Sequence, residues 1–252
     1  MKTLALMTTS WDDGHPLDFR LAELLSKHGL KGTFYIPKRA ENITMAEARV
    51  RELAQIVEVG AHTMRHTFLD GADLPTAERE ITESKRWVED VTGKPCAMFC
   101  PPGGKFDQRH LRMVKAAGYT GLRSVELLSL AEPTHEMGVM VVPTTIQAYP
   151  HLRRTYLTNV AKRLALKNLV GYLRCRGPAD WVELARRMLK QVSEVGGVFH
   201  LWGHSWELEE TGQWENLERL FAIMSQHLPS VPCVTNLELC ERAKSAPVSL
   251  AA

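Results

Sequence analysis

The chain has 252 residues, 44% of them hydrophobic and 24% charged, the balance of an ordinary soluble globular protein. Its 31 Lys and Arg against 29 Asp and Glu leave a formal charge of +2, which argues against a dedicated nucleic-acid binder. No apolar run approaches the ~20 residues of a membrane-spanning helix, and disorder, fibrous repeats and disulfide scaffolds are excluded by the same arithmetic.

In chain order, residues 3–10 read as a first strand. That apolar stretch is cut short by Trp11-Asp12-Asp13, too early for a secretory signal. Residues 16–29 carry a helical pattern that stops at Gly29, and Thr33-Phe34-Tyr35-Ile36 is β-branched and aromatic, a second strand. A helix at 44–56, a short strand at 57–60 and a helix at 76–91 follow. Met98-Phe99-Cys100 is a strand, 107–117 a helix and Tyr119–Arg123 another strand. Strands at 139–144 and 198–204, helices at 151–173, 179–194 and 213–227, and a short strand near Val234 complete the pattern. Strands alternating with helices of 10–20 residues imply βα units and a parallel sheet. About seven of them suit a distorted (β/α) barrel, whose chemistry sits where strands end. We expect a single domain over 1–252, interrupted by a basic helical segment at 151–176 with Arg153, Arg154, Lys162, Arg163, Lys167, Arg174 and Arg176. Five cysteines with no CxxC pair fit a reducing compartment, so the expected location is cytoplasmic.

Three clusters fall at predicted strand ends. Asp12 and Asp13 follow strand one, where adjacent carboxylates repel unless a cation or proton separates them. The Asp13-Gly14 pair is equally the chemistry of a plain turn. His62 and His66 stand four apart, which on a helix puts both on one side, within reach of one ion. In the strand ending at His204, residues 198, 200, 202 and 204 share a face. His204 then lies at the rim and His200 roughly 13 Å deeper. Together these residues make a hydrolytic kit: a carboxylate and two imidazoles for a metal, a second carboxylate as base and a separate histidine as acid.

These residues resemble the NodB-type polysaccharide deacetylases, carbohydrate esterase family 4. That family's T-F-D-D-G motif stands here as Ser10-Trp11-Asp12-Asp13-Gly14, and its H-[ST]-x-x-H motif as His62-Thr63-Met64-Arg65-His66. Lys31-Gly32-Thr33-Phe34-Tyr35-Ile36 is similar to its K-A-T-F-F-V strand, and Cys100-Pro101-Pro102-Gly103-Gly104 aligns with its R-x-P-x-G motif. The resemblance implies removal of an acetyl group from an N-acetylated sugar. By it Asp13, His62 and His66 hold the metal, zinc or another divalent ion such as cobalt, and Asp12 is the general base. His204 is the acid, and Pro102 and Gly103 line the substrate, with a backbone N–H near Gly103 facing the oxyanion. Trp11 and Trp202 flank the site and are candidates to stack on a sugar ring.

Three departures from the family pattern matter. Cys100 stands where the family has the arginine that pairs with its base, and Arg123, at another strand end, is the substitute by position. The D-x-x-x-W motif is missing after residue 120. The final L-x-H motif is ambiguous: Leu201 precedes His204 by three residues, and Val198-Phe199-His200 fits the shorter spacing, so His200 stands as an alternative acid. The basic segment is compatible with a solvated face, a phosphorylated or lipid-linked sugar, a membrane surface or contact with a second subunit. Alternative functions are hydrolysis of a non-carbohydrate N-acyl or formamide compound, and carbohydrate binding without turnover.

Overall fold

The apolar run that opens the chain forms β1 (Ala5–Asp12), with seven of its eight residues buried, as expected of a strand covered on both faces. The computed structural model describes residues 5–152, 154–156, 158, 168, 170, 172, 173, 175 and 180–245. Four βα units follow one another: α1 (Asp18–Lys27) leads to β2 (Thr33–Ile36), α2 (Glu47–Leu53) to β3 (Glu58–Ala61), α3 (Leu74–Thr92) to β4 (Met98–Phe99), and α4 (Gln108–Ala116) to β5 (Gly121–Arg123). A hairpin of β6 (Thr134–Glu136) and β7 (Val139–Val142) comes next, then β8 (Ile146–Gln147). After the basic segment come α5 (Trp181–Val195), β9 (Gly197–His204), α6 (Ser205–Glu210), α7 (Trp214–His227), β10 (Cys233–Val234) and α8 (Asn236–Ser245).

All these strands join one sheet in the order β6-β7-β5-β4-β3-β2-β1-β9-β8, with β10 also on β1. Among the described pairings only β6–β7 is antiparallel. The sheet curls into a half-barrel, and loop backbone spans its opening: Ser124 N–H donates to Val142, Leu128 to Thr145, Thr145 to His200 and Val198 to Leu130. The expected short strand near Val234 is β10; β6 and β8 were not expected, being only three and two residues long with no readable period. Nor were α6 and α8. The helix expected at 44–56 is confined to Glu47–Leu53, because Met45 N–H donates instead to Gly14 of the loop after β1. Helix α3 starts before its expected residue 76, capped by the Asp73 side chain accepting from Thr76 N–H, and it stops at Gly93, which takes the left-handed conformation. The inserted segment at 151–176 lies mostly outside the described residues, six of its seven basic side chains included. Among the described residues no helix is long and apolar enough to cross a membrane.

Alternation along β1 decides which side chains face the barrel interior and which face the helices. Trp11 goes outward. It is fully buried, meets Phe221 of α7 edge-on with ring centroids 6.2 Å apart, and donates its indole N–H to Thr9. The expectation that Trp11 flanks the site is therefore corrected: as the neighbour of an inward-facing Asp12 it belongs to the helix-packing layer. Ser10 and Asp12 go inward, and β9 runs beside them with Ser10 opposite Trp202 and Asp12 opposite His204.

Candidate metal centre and active site

Asp12 ends β1, His62 follows β3, Arg123 ends β5 and His204 ends β9, so four separate strands deliver polar side chains to one rim. Asp13 lies just past β1 with a φ of 80°, a conformation Asp tolerates better than most residues. Its Oδ2 accepts the Trp206 indole N–H at 2.9 Å. Its Oδ1 is buried without a hydrogen-bond partner and faces His62 Nε2 at 3.5 Å and His66 Nε2 at 3.3 Å. Ligand atoms about 2.0–2.1 Å from a tetrahedral ion stand ~3.3–3.4 Å apart, so Asp13 Oδ1 has ligand spacing to each imidazole, and the three groups offer atoms all within 4.8 Å of one another. His62 Nδ1 lies 2.6 Å from the Cys100 carbonyl. A carbonyl only accepts, so the proton sits on Nδ1 and the Nε2 lone pair is free for an ion. Burial works to raise the Asp13 pKa, but the close imidazoles of His62 and His66 and the charge of His204 outweigh it and hold the carboxyl far below its ordinary range. Asp13, His62 and His66 thus fit a divalent cation.

A second grouping, Asp12 with His62 and Cys100, is equally compact but chemically unsuited. His62 Nδ1 is committed to the Cys100 carbonyl and Asp12 to Arg123. The Cys100 thiol donates to Pro101, and burial pushes its pKa well up, away from the thiolate a metal requires.

The segment carrying the two histidines is not helical, contrary to the premise that a helix would align them. Thr63 and His66 have φ of 59° and 54°, and the turn is held from outside. Buried Glu80 of α3 accepts the amide N–H groups of Met64 at 2.8 Å and Arg65 at 3.0 Å. The Thr63 hydroxyl donates to His62 O and accepts from Thr67 N–H. Nothing in the local pattern marked Glu80, which lies 14 residues beyond His66. Glu80→Ala removes the acceptor that two turn amides share, and we expect it to weaken zinc binding about 10–100-fold. Chelator competition measures this, and an unchanged affinity would show that the turn holds its shape unaided.

Arg123, fully buried, puts one guanidinium nitrogen on both carboxylate oxygens of Asp12. Its charge is sandwiched by aromatic faces, with Tyr35 at 5.3 Å and Trp202 at 4.9 Å from the guanidinium carbon. Trp202 therefore presents a ring face to Arg123, and as a buried side chain it is not open to stack on a sugar; that expectation is also corrected.

His204 Nδ1 lies 2.5 Å from Glu207 Oε2, which also accepts from Gln147 Nε2 at 2.9 Å. His204 Nε2 faces Asp12 and Asp13 at 4.0 and 3.9 Å. Burial alone would lower its pKa, but the Glu207 hydrogen bond and the Asp12 charge raise it to about 9. His200 is its opposite. Its Nδ1 donates to Pro143 O and its Nε2 accepts from the Ser10 hydroxyl, both at 2.8 Å. Burial first, and Arg123 second, push its pKa down to about 3. A neutral histidine with both nitrogens engaged has no proton to give, so the alternative acid is withdrawn. The sequence alone assigns Glu207 and Trp206 no role at the site. The available signal was the Ser205-Trp206-Glu207 start of α6 directly after a strand end, which returns the third residue to His204. Pro102 and Gly104 are buried in a 3-10 turn after β4, and Gly103, between them, has a φ of 62°.

Residues 3–122 match the family model for polysaccharide deacetylases. Over 114 residues the chain is 23% identical to YxkH of Bacillus subtilis (strain 168), provisionally named a polysaccharide deacetylase, covering 44% of this chain and 41% of that one. Over 117 residues it is 26% identical to a peptidoglycan-N-acetylglucosamine deacetylase of Bacillus cereus, covering 45% and 54%. The chain spans about half the length of these curated relatives. A crystal structure from Mycobacterium smegmatis, provisionally described as a polysaccharide deacetylase, superposes with a TM-score of 0.69 at 14% identity, covering 100% of this chain and 98% of that one, and so shares its fold.

Proposed function

We propose, from the polysaccharide deacetylase match over residues 3–122 and the similarity to two deacetylase sequences, that the chain is a NodB-type member of carbohydrate esterase family 4, a metal-dependent hydrolase removing acetyl from an N-acetylated sugar. The observation that carries this reading is the orphaned Asp13 Oδ1 between two histidine Nε2 atoms, beside an arginine-paired carboxylate and a histidine paired with Glu207. Asp13, His62 and His66 would hold a divalent ion, zinc by the donor set, which when bound activates water near neutrality and polarises the amide carbonyl. Asp12, oriented by its ion pair with Arg123, takes the proton from the attacking water. The backbone N–H of Gly103 is our candidate donor to the oxyanion, with Pro102 shaping the same wall. His204 delivers its Nε2 proton to the departing amine, without which an amine is a poor leaving group. Glu207 keeps that histidine charged and its Nδ1 occupied. Five free, buried cysteines support the cytoplasmic location we propose.

The test is acetate release by zinc-reconstituted protein over a panel of N-acetylated monosaccharides, oligosaccharides and phosphorylated or lipid-linked forms, with Asp12→Asn as control. Release from at least one member that disappears in the control is expected. Release only from formamides or other N-acyl compounds would transfer the site to the amidohydrolase reading. Carbohydrate binding with no release from any compound would leave a binding protein.

A further inference from the structure

A half-exposed phenylalanine is unremarkable by itself, but Phe68 combines three features at the mouth of the site. It is 46% exposed and meets the ligand candidate His66 edge-on, with ring centroids 5.6 Å apart. Its ring lies against Gly103: a Cβ there would come within 2.7 Å of Phe68 Cε1, so a side chain at 103 would push the ring away. The Lys105 ammonium stands 5.4 Å from the ring centroid and pairs with Asp70 at 3.3 Å, both side chains about half exposed. An aromatic ring beside the candidate ligand His66 and the Gly103 wall, with an exposed cation and a carboxylate next to it, has the chemistry a sugar platform needs. The electron-rich face that now attracts an ammonium suits the weakly positive C–H groups on the apolar face of a pyranose, while Lys105 and Asp70 remain to hydrogen-bond its hydroxyls.

Resting on the deacetylase reading, we propose that Phe68 is the platform that stacks the pyranose ring of the substrate, in the place the sequence assigned to Trp11 and Trp202. Glycine at 103 lets the ring lie down, so the two positions act as a pair.

The experiment uses zinc-loaded Asp12→Asn protein, which lacks the proposed base, so that binding is read without turnover. Calorimetry with the β-1,4-linked N-acetylglucosamine tetramer compares this parent with Phe68→Ala, Phe68→Leu and Phe68→Trp in the same background, with zinc content measured throughout. We expect Phe68→Ala and Phe68→Leu to weaken binding at least about tenfold, Phe68→Trp to stay within about threefold, and zinc to remain at one per chain; tenfold is the loss of one well-made contact. No tetramer binding by the parent, or Phe68→Ala or Phe68→Leu within twofold of it, would overturn the proposal. So would weakened binding accompanied by zinc loss, which would assign Phe68 to supporting His66. Phe68-dependent tetramer binding without acetate release by the unmutated protein would leave the platform standing while the hydrolytic reading fails.

Discussion

Arg123→Ala should lower kcat/KM by about 100-fold or more, within the range a general base contributes, and Cys100→Arg placed in that background should recover at least tenfold of the loss. The first half follows from Asp12, a buried carboxylate whose two oxygens share one guanidinium donor. Removing that cation leaves the carboxylate without a charge partner, and an uncompensated buried charge costs several kcal/mol. The rescue follows from geometry. Cys100 and Asp12 lie close enough to share an ion-sized space, and deleting Arg123 vacates the volume between Tyr35 and Trp202 that a guanidinium from residue 100 would need. Recovery would show that this chain moved its arginine one strand along the sheet, from β4 to β5, while keeping its task. An Arg123→Ala protein with full activity would show that Asp12 works unaided or is not the base.

Glu207→Gln should cost about 10²-fold in kcat near pH 8 and move the alkaline limb of the rate profile to lower pH by roughly one to two units. The sign follows from the acid's role. A general acid works only while protonated, so its contribution is present below its pKa and lost as pH rises through it. His204 is raised to about 9 against the opposing effect of burial, chiefly by the Glu207 hydrogen bond. Glutamine keeps the shape and removes the charge, leaving burial opposed only by the Asp12 and Asp13 charges, so the value falls. A dication beside Asp13 lowers the pKa in both proteins, so the difference between them persists. An alkaline limb that stays in place while activity falls would mean that Glu207 only positions the ring.

The residues readable in advance were those in short contiguous motifs at strand ends. The βα pattern and the rule that barrel chemistry collects at the C-terminal rim placed Asp12, Asp13, His62, His66 and His204 together, while their separate roles came from the family resemblance. Arg123 was readable for the same reason, although nothing local named Asp12 as its partner. What escaped was held by side chains far away in sequence. Glu80 fixes the histidine turn from a helix, and Gln147 reaches Glu207 from 60 residues away. The two tryptophans were misjudged because a strand end has two faces: Trp11 alternates outward from Asp12, and Trp202 turns inward to carry Arg123. The short β6 and β8 pair by register with longer neighbours rather than by any pattern of their own.

The most direct measurement is a zinc titration of chelator-stripped protein, following bound zinc and acetate released from the N-acetylglucosamine tetramer in the same samples, for the unmutated chain and for Asp12→Asn. The account predicts acetate release that rises with zinc to one equivalent and then levels off, while Asp12→Asn binds the same equivalent and releases none. Full release from the stripped protein, or release by zinc-loaded Asp12→Asn at the rate of the unmutated chain, would contradict it.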